Sequence, residues 1–369
     1  MRFFLDHHHY ALARSLLTTL CGRLGHEVWF PDIPFVKSAV PPTVWNVVHP
    51  IWFDEVMVDP AHVSWAPHGV VSEEEFFDLD WDFLVASRSE SQEPILRLKR
   101  KHPRGDRIRL LAVSGNAGTV YDRERFEHLV STDEGSARLK PNDLHVICVP
   151  QEIGWAYSST SFAPMRPEAL RRVASYVHNL AGWHGDWNYD AFGGGCPHCG
   201  TSLPGADRDH VRPELTVVET WRKLRSLLPR HELLAFGGEN EVLGGRLLHE
   251  KEIPSIIDST ALTVHWKSSE GFGHSLLQSV RRGRLVVVPE RFYRYKMANR
   301  YLIPDVTCLE VPWDARAVAR AVEGFTRDLD VANERSLRCR EVADVLFDPE
   351  YDTRRLGRWL DEIVKGTKT

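Results

Sequence analysis

Residues 261–289 read ALTVHWKSSEGFGHSLLQSVRRGRLVVVP, and the way their character changes decides the fold. Leu262 to Trp266 alternates β-branched and aromatic residues as a strand does. Ser268 to Gly273 is small and glycine-containing, and His274 to Arg282 sets Leu276, Leu277 and Val280 at helical spacing. Gly283 stands where a helix end favours φ > 0, and the run from Arg284 to Val288 reads as a strand buried in a parallel sheet. Strand, turn, helix and strand in succession make one βαβ unit. Its loop carries a carboxylate, Glu270, at the carboxyl end of a strand and beside the N–H groups of a helix start. Ligands of open α/β sheets sit there, and anionic phosphates are stabilised there.

The run Ser269-Glu270-Gly271-Phe272-Gly273, with Leu277, the amide of Gln278, Gly283 and the VVVP of Val286 to Pro289, resembles the E-x7-E donor-site signature of retaining GT-B glycosyltransferases. Leu302 to Pro312 (LIPDVTCLEVP), followed by Asp314 and an Ala/Val-rich helix, is similar to the segment that follows this signature in the same family. The resemblance covers the last third of the chain. It implies an α/β fold of two Rossmann-like domains facing a central cleft, a nucleotide-sugar donor with UDP as the expected nucleotide, and no essential metal.

On the residue level the resemblance assigns Glu270 to the sugar hydroxyls. It assigns the backbone N–H groups of Gly271, Phe272, Gly273, His274 and Ser275 to the diphosphate. The second glutamate of the signature, which binds the ribose in the family, is Gln278 here. An amide still bonds hydroxyls but carries no charge. Gly237-Gly238, a turn after the strand at Glu232 to Phe236, faces the same end of the sheet as Glu270. The family's Arg and Lys for the diphosphate, after the second domain's first strand, find no match in Ser175 to Trp183, which offers His178 and Asn179 instead. Charge compensation then falls to Lys267, Arg294 or Lys296.

A chain of 369 residues exceeds what one core supports, so two domains are expected. With 43% hydrophobic and 26% charged residues it has the composition of an ordinary soluble protein. No apolar run reaches the ~18 residues of a membrane span. The opening MRFFLDHHHY lacks the basic and apolar regions of a secretory signal, so a cytoplasmic protein is expected; that the cytoplasm is a bacterial or phage-infected cell's is implied only by the resemblance to phage-type members given below. A net charge of −5 argues against an all-round nucleic-acid binder but leaves room for a local basic groove.

Upstream, strands at Phe3 to Leu5, His26 to Phe30, Trp81 to Ala86, Ile108 to Val113 and Leu144 to Val149 alternate with helices at Tyr10 to Leu24 and Pro94 to Lys101. Alternation of this kind predicts a parallel sheet with helices on both faces. Residues 31–75 are rich in Pro, Trp and His without period and read as long loops. Periodicity is lost again from Ser158 to Pro167, which places an acceptor-side domain at 1–165 and a donor-side domain at 166–347. Ala169 to Val173 reads as a short helix leading into a strand at Ala174 to Val177. The last residues, 348–369, form an amphipathic helix that in this family crosses back onto the first domain.

Asp6-His7-His8-His9 follows the first strand. In the family that loop faces the cleft, and in inverting members it supplies a histidine base. A neutral imidazole near pKa 6.5 suits accepting the proton of an acceptor hydroxyl. In retaining members the loop binds phosphate or acceptor instead, so the histidines and the Glu270 signature point to different stereochemistries, and His7, His8 and His9 stand as candidates for either role. Lys99, Arg100 and Lys101 lie in the densest basic run, which reads either as a solvated helix face or as a polyanion contact. The His-rich first loop and the Gly-Phe-Gly-His-Ser helix start look similar to phage-type members that modify hydroxymethylated bases in DNA, which makes such a base the lead acceptor. A glycan, lipid or small-molecule hydroxyl is the alternative, and a nucleotide-sugar epimerase shares the same fold. A non-catalytic nucleotide-binding protein with a zinc loop is the other rival.

Two further motifs invite metal. Asp78-x-Asp80-x-Asp82 repeats the D-x-D that binds a metal–nucleotide complex in the unrelated GT-A enzymes, but it leads into a strand that reads as core. Cys196-Pro-His-Cys199 is a lone C-x-x-C, and a zinc site there would need ligands such as His184, His198 or His210 brought in by folding. The other cysteines, Cys21, Cys148, Cys308 and Cys339, lie mostly in apolar runs and read as reduced structural thiols.

Overall fold

The computed structural model describes residues 1–6, 16–37, 68–87, 90–114, 122, 124–131, 146–148, 162–176, 217–236, 252–265, 274–290, 293, 297–312 and 314–366. The chain divides into two compact units, Met1–Ser158 with Pro349–Thr369, and Ser159–Asp348.

The first unit is built on seven parallel strands: β1 (Arg2–Leu5), β2 (Glu27–Asp32), β3 (Gly69–Ser72), β4 (Phe83–Ala86), β5 (Arg109–Ser114), β6 (His128–Ser131) and β7 (Val146–Cys148), in the order β3-β2-β1-β4-β5-β6-β7. β1 lies in the middle, pairing Phe3 with Val28 on one side and with Phe83 on the other. Both faces are covered, so Phe3, Phe4 and Leu5 are all buried although they alternate sides. On one face the core joins Phe3, Leu5, Val85 and Val113 to Leu16, Leu17 and Leu20, and to Leu356, Trp359, Leu360 and Ile363 of the last helix, which spans Pro349–Lys365. On the other, Phe4, Leu84 and Ala112 meet Ile33 and Val36, Phe76, and Ile95 and Leu98.

Segments read as loops contain structure. Within 31–75 the chain forms the end of β2, a turn of helix α2 (Pro34–Lys37), β3 and helix α3 (Glu73–Asp78). A capping box starts α3: the Ser72 hydroxyl accepts from the Glu75 N–H at 3.3 Å, and the Ser72 N–H donates to the Glu75 carboxylate at 2.9 Å. Strands of four residues leave too little alternation to be recognised, which is also why β6 escapes a reading by pattern. The helix expected up to Leu24 ends in a wider coil, α1 (Thr18–Arg23), where Leu24 N–H reaches back five residues to Thr19 O, and Gly25 at φ +66° turns the chain into β2.

The second unit carries five parallel strands, β8 (Arg172–Tyr176), β9 (Glu232–Phe236), β10 (Leu262–Val264), β11 (Val286–Pro289) and β12 (Cys308–Val311), in the order β12-β11-β10-β8-β9. A proline-led 3₁₀ turn at Pro167–Arg171 stands where a helix is expected over 169–173, and β8 begins two residues earlier than its reading. In the organising stretch strand, helix and strand come in the order read: β10, helix α7 (His274–Arg281), then β11, with Gly283 at φ +71° between the last two; its loop, 266–273, lies outside the described residues. Labels α4 (Gln92–Lys101), α5 (Val217–Leu227) and α6 (Ile253–Asp258) denote the intervening helices, and α8 (Ala315–Phe325), α9 (Leu329–Leu346) and α10 (Pro349–Lys365) those that follow. Asp314 caps α8 by accepting from Ala317 N–H at 3.0 Å.

At the amino-terminal end of the second sheet Arg284 is wholly buried and gives its guanidinium to backbone carbonyls. These are Thr260 O at 2.9 Å, Asp258 O at 3.1 Å and Ala163 O at 3.2 Å. Burial lowers its pKa to about 10. Its donors fasten the segment before β8 to the turn before β10, so a residue that looks misplaced in an apolar run ties together the strand starts on which the sheet is laid.

Candidate active site

Parallel sheets bind ligands beyond the carboxyl ends of their strands, at the point where the chain's direction of travel across the sheet reverses. In the first sheet successive strands are added towards one edge from β1 to β3 and towards the other edge from β4 to β7, so the reversal falls between β1 and β4. In the second sheet β8 leads to β9 on one side and β10 to β12 lie on the other, so it falls between β8 and β10. The loop holding Glu270 leaves β10, and the loop holding the histidines leaves β1. Both sequence-selected stretches therefore grow from strands that border a reversal.

At the first reversal the carboxylate of Asp6 is fully buried. It accepts from Ser87 N–H at 2.8 Å, from the Ser87 hydroxyl at 2.7 Å and from the hydroxyl of Ser91. Asp6 N–H still donates to Val85 O at 3.1 Å, so the residue belongs to the sheet and fixes the point from which the loop departs. Charge-assisted bonds of this kind tie the end of β1 to Ser87 and Ser91 beyond the end of β4. The histidines had drawn attention to this stretch; the anchoring role of the aspartate and two serines was not visible, because its partners lie more than eighty residues away. His7, His8 and His9 lie outside the described residues.

At the second reversal α7 starts at His274 and is held to β10 by a relay of hydroxyls: Thr263 and Ser279 share a hydrogen bond of 2.9 Å, and Ser279 donates to Ser275 O at 2.8 Å. Ser275 is half-buried and one residue into the helix, where backbone N–H groups have no intrahelical acceptor. Gln278 is buried, and among the described residues its amide makes no hydrogen bond. An amide with no hydrogen-bond partner among the described residues suits a ligand that supplies hydroxyls. His265, the residue after β10, is buried; its backbone N–H donates to Val287 O at 2.8 Å, and its Nδ1 is hydrogen-bonded to the hydroxyl of Tyr293, also buried. Nothing in a lone His or Tyr of the sequence marks this pair. Gly237, Gly238, Glu270, Gly271, Phe272 and Gly273 lie outside the described residues, as do Cys196 and Cys199.

Compared by sequence, the chain matches no known family model and no curated protein. As a structure it is similar over nearly its whole length to glycosyltransferases. HepE of Anabaena, solved with UDP and glucose, superimposes with a TM-score of 0.60 at 11% identity, covering 98% of this chain and 99% of that one. Sucrose-phosphate synthase of Thermosynechococcus elongatus gives 0.59 at 14% identity, with 99% of each chain covered. A glycosyltransferase from Rickettsia africae gives 0.58 at 11% identity, covering 99% and 98%. The chain has the GT-B fold.

Within this GT-B chain the basic run on α4 is largely engaged. Lys99 is half-buried and donates from Nζ to Ile108 O at 2.6 Å, and burial lowers its pKa. Arg100 pairs with Glu93, Lys101 with Glu73 at 3.4 Å, and Arg104 with Asp80. The carboxylates of the D-x-D repeat are likewise used at the wrong end of the sheet for a ligand: Asp82 accepts from Arg2 N–H at 2.8 Å just before β4 begins, and Asp80 holds Arg104. Among the described residues no three His, Cys, Asp or Glu side chains are grouped so as to hold a metal ion. Cys21, Cys308 and Cys339 are free thiols. Burial raises Cys21 to about 11 and Cys308 to about 12, so they remain protonated and unreactive. No helix among the described residues is long and apolar enough to cross a membrane.

Proposed function

We propose that this protein is a glycosyltransferase that moves a sugar from a UDP-sugar to an acceptor hydroxyl, with the donor held by the second unit. The observation that carries the reading is a coincidence of two independent signals. The Ser-Glu-Gly-Phe-Gly signature is spliced between β10 and α7, and β10 is the strand at which the second sheet reverses. Support comes also from HepE, a protein of similar structure solved with UDP-glucose.

In this reading the bond between sugar and diphosphate breaks while negative charge grows on the leaving oxygen. The N–H groups from Gly271 to Ser275 stabilise that charge, as donors at a helix start do for anionic phosphates. Glu270 orients the sugar through its hydroxyls, Gln278 bonds the ribose, and one of His7, His8 and His9 meets the acceptor. Asp6 positions that loop. A metal is not required, because helix dipoles and basic side chains replace it.

For the acceptor, a hydroxymethylated base in phage DNA rests on the basic run at Lys99 to Lys101. The partners found for Lys99, Arg100, Lys101 and Arg104 leave less free charge for a phosphate backbone than the sequence offers, and they favour a glycan, lipid or small-molecule hydroxyl. Gel retardation with modified duplex DNA separates the two: binding that weakens with salt and with Lys99, Arg100 and Lys101 changed to Ala supports DNA, and absence of binding at low salt removes it.

The donor is tested by thermal shift against nucleoside diphosphates and their sugars, because a ligand of the native state raises its apparent stability. UDP or a UDP-sugar should raise the midpoint, and Glu270→Ala should lose the extra shift given by the sugar while keeping that given by UDP. No shift with any nucleotide would overturn the assignment. Release of an altered sugar with no acceptor present would indicate an epimerase instead.

A further inference from the structure

Away from the carboxyl ends of its strands, the second unit carries a face whose charge is one-sided. Helices α5 and α8 pack against each other. They meet at their carboxyl ends, where His231 Nε2 lies 2.9 Å from the Thr326 hydroxyl, so they lie side by side on one side of the sheet. Each turns its apolar residues inward: Trp221 and Leu224 are buried on α5, and Ala317, Val318, Val322 and Phe325 on α8. With about 3.6 residues per turn, the opposite directions belong to Arg222 and Lys223 on α5, and to Arg316, Arg320 and Glu323 on α8 with Arg327 just beyond it; all of these are exposed. Among the described residues, Arg222, Lys223, Arg316, Arg320 and Arg327 make no hydrogen bond, ion pair or ring contact. Arg225 is also exposed, with interactions of its own.

Elsewhere on the surface arginines find acidic neighbours, as Arg2, Arg100, Arg104, Arg125 and Arg172 do. The chain has more acids than bases, 51 against 46, so five unpaired cations around one carboxylate, Glu323, are a segregation of charge. Like charges four residues apart on a helix, as at Arg316 and Arg320, repel and cost some helix stability. An anionic partner removes that repulsion. Four of the five cations are arginines, whose planar fork bonds phosphate oxygens in pairs. The rows stand on neighbouring helices, roughly 10 Å apart, and form a flat face rather than a groove. A plane of phosphate headgroups meets both rows at once, whereas a duplex, being a cylinder, touches one. The large apolar side chains exposed among the described residues, such as Ile303, Val331 and Val345, lie on neither helix, so attraction here is by charge without insertion among acyl chains.

We propose that the outward faces of α5 and α8 form a docking surface for anionic phospholipid headgroups, holding the second unit to a membrane surface by reversible electrostatic contact. Arg222 and Lys223 make one row of contacts and Arg316, Arg320 and Arg327 the other, while Glu323 opposes them. The surface uses none of the residues assigned to the donor, and the inference does not depend on the donor reading.

The test is co-sedimentation of the full-length protein with vesicles of phosphatidylcholine, alone or with about one third phosphatidylglycerol. At low salt the protein should pellet with the anionic vesicles and not with the neutral ones, and it should be released as added salt shortens the Debye length. Each cation near an anionic surface contributes roughly fivefold in affinity, so Arg222→Ala with Lys223→Ala, or Arg316→Ala with Arg320→Ala, should weaken binding roughly twentyfold. Glu323→Gln removes the opposing charge and should strengthen binding several-fold, a gain that no folding defect imitates. Arg97→Ala, the same change of charge on α4 of the first unit, should leave binding nearly unaltered. Failure to pellet with anionic vesicles at low salt, binding indifferent to salt, a loss in Arg97→Ala equal to that in Arg320→Ala, or unchanged binding in Glu323→Gln overturns the proposal. So does tighter retention of duplex DNA than of anionic vesicles, lost on the same substitutions, which would assign the face to nucleic acid.

Discussion

Gly283 shows how one backbone angle can decide an element. Its φ of +71° is in the region that side chains avoid, and a Cβ built there would lie 2.6 Å from Ser336 O and 3.0 Å from the Phe162 ring. Gly283→Ala should therefore destabilise the second unit by about 3 kcal/mol, combining left-handed strain with a clash against a backbone oxygen, visible as a lower urea midpoint with an unchanged slope. His231 illustrates a different constraint. Its Nε2 is 2.9 Å from the Thr326 hydroxyl, which itself donates to Val322 O, so Nε2 carries the proton. Nδ1 is buried and has no hydrogen-bond partner among the described residues, so a proton added there would meet no acceptor among them. Burial accordingly lowers the pKa of His231 below 6.5, with Glu323 opposing weakly. Below pH 6.5 the unfolded chain takes up a proton that the native state refuses, so the stability contributed by this residue is present above that value and is lost as pH falls through the lowered pKa. Urea melts of the wild type and of His231→Gln at pH 7 and pH 5 should show the loss on acidification reduced in the variant; identical losses would count against it. At this scale the sequence announces Gly283, because a glycine at a helix end has a mechanical meaning. It does not announce Asp6, His265 or Tyr293, whose significance depends on which distant residue each one meets.

Elements were legible in proportion to their length and to the agreement of their signals. The β10–α7–β11 stretch has strand, helix, glycine stop and strand signals in order, and these described elements form in that order. Short strands such as β3 and β6 are four residues long and give no usable alternation, and α3 was recoverable only from its Ser72–Glu75 box. The pairing of α7 with α9 depends on charge rather than pattern. Asp344 receives Arg281 at 2.6 Å and Arg340 at 2.7 Å, and both guanidiniums are nearly buried. Arg281 also lies over the Phe347 ring at 4.7 Å, next to the last residue of the second unit. Asp344→Ala would remove a shared anion from two desolvated cations. Because the carboxylate is itself 41% exposed, the expected loss is about 2 kcal/mol rather than the larger figure for a fully buried pair. Asp344→Asn, which keeps one acceptor oxygen, should lose less, and chemical denaturation of the three proteins side by side measures the order.

On the scale of the molecule, chain order and spatial order differ in one place that affects how the protein can be cut. The last helix, α10, belongs to the first unit: Leu356, Trp359, Leu360 and Ile363 enter the same core as Phe3, Val85 and Val113. Its end is secured by Arg109, which donates to Ile363 O at 3.0 Å and Val364 O at 2.7 Å. The amphipathic pattern of residues 348–364 reveals a helix with one apolar stripe; which sheet receives it follows from the family resemblance and not from that pattern. Four large side chains at about 2 kcal/mol each give roughly 8 kcal/mol of burial, comparable to the whole stability of an ordinary domain, about 5–15 kcal/mol. A chain ending at Asp348 should therefore lose the cooperative unfolding of the first unit, three hundred residues away in sequence, while the second unit, with its own sheet and core, keeps its transition. Calorimetry of the full and shortened chains reads this directly, and Trp359→Ala offers a gentler form of the same test, lowering the first unit's transition alone. If the shortened chain melted like the full one, α10 would be an appendage and the first sheet would be covered by other means.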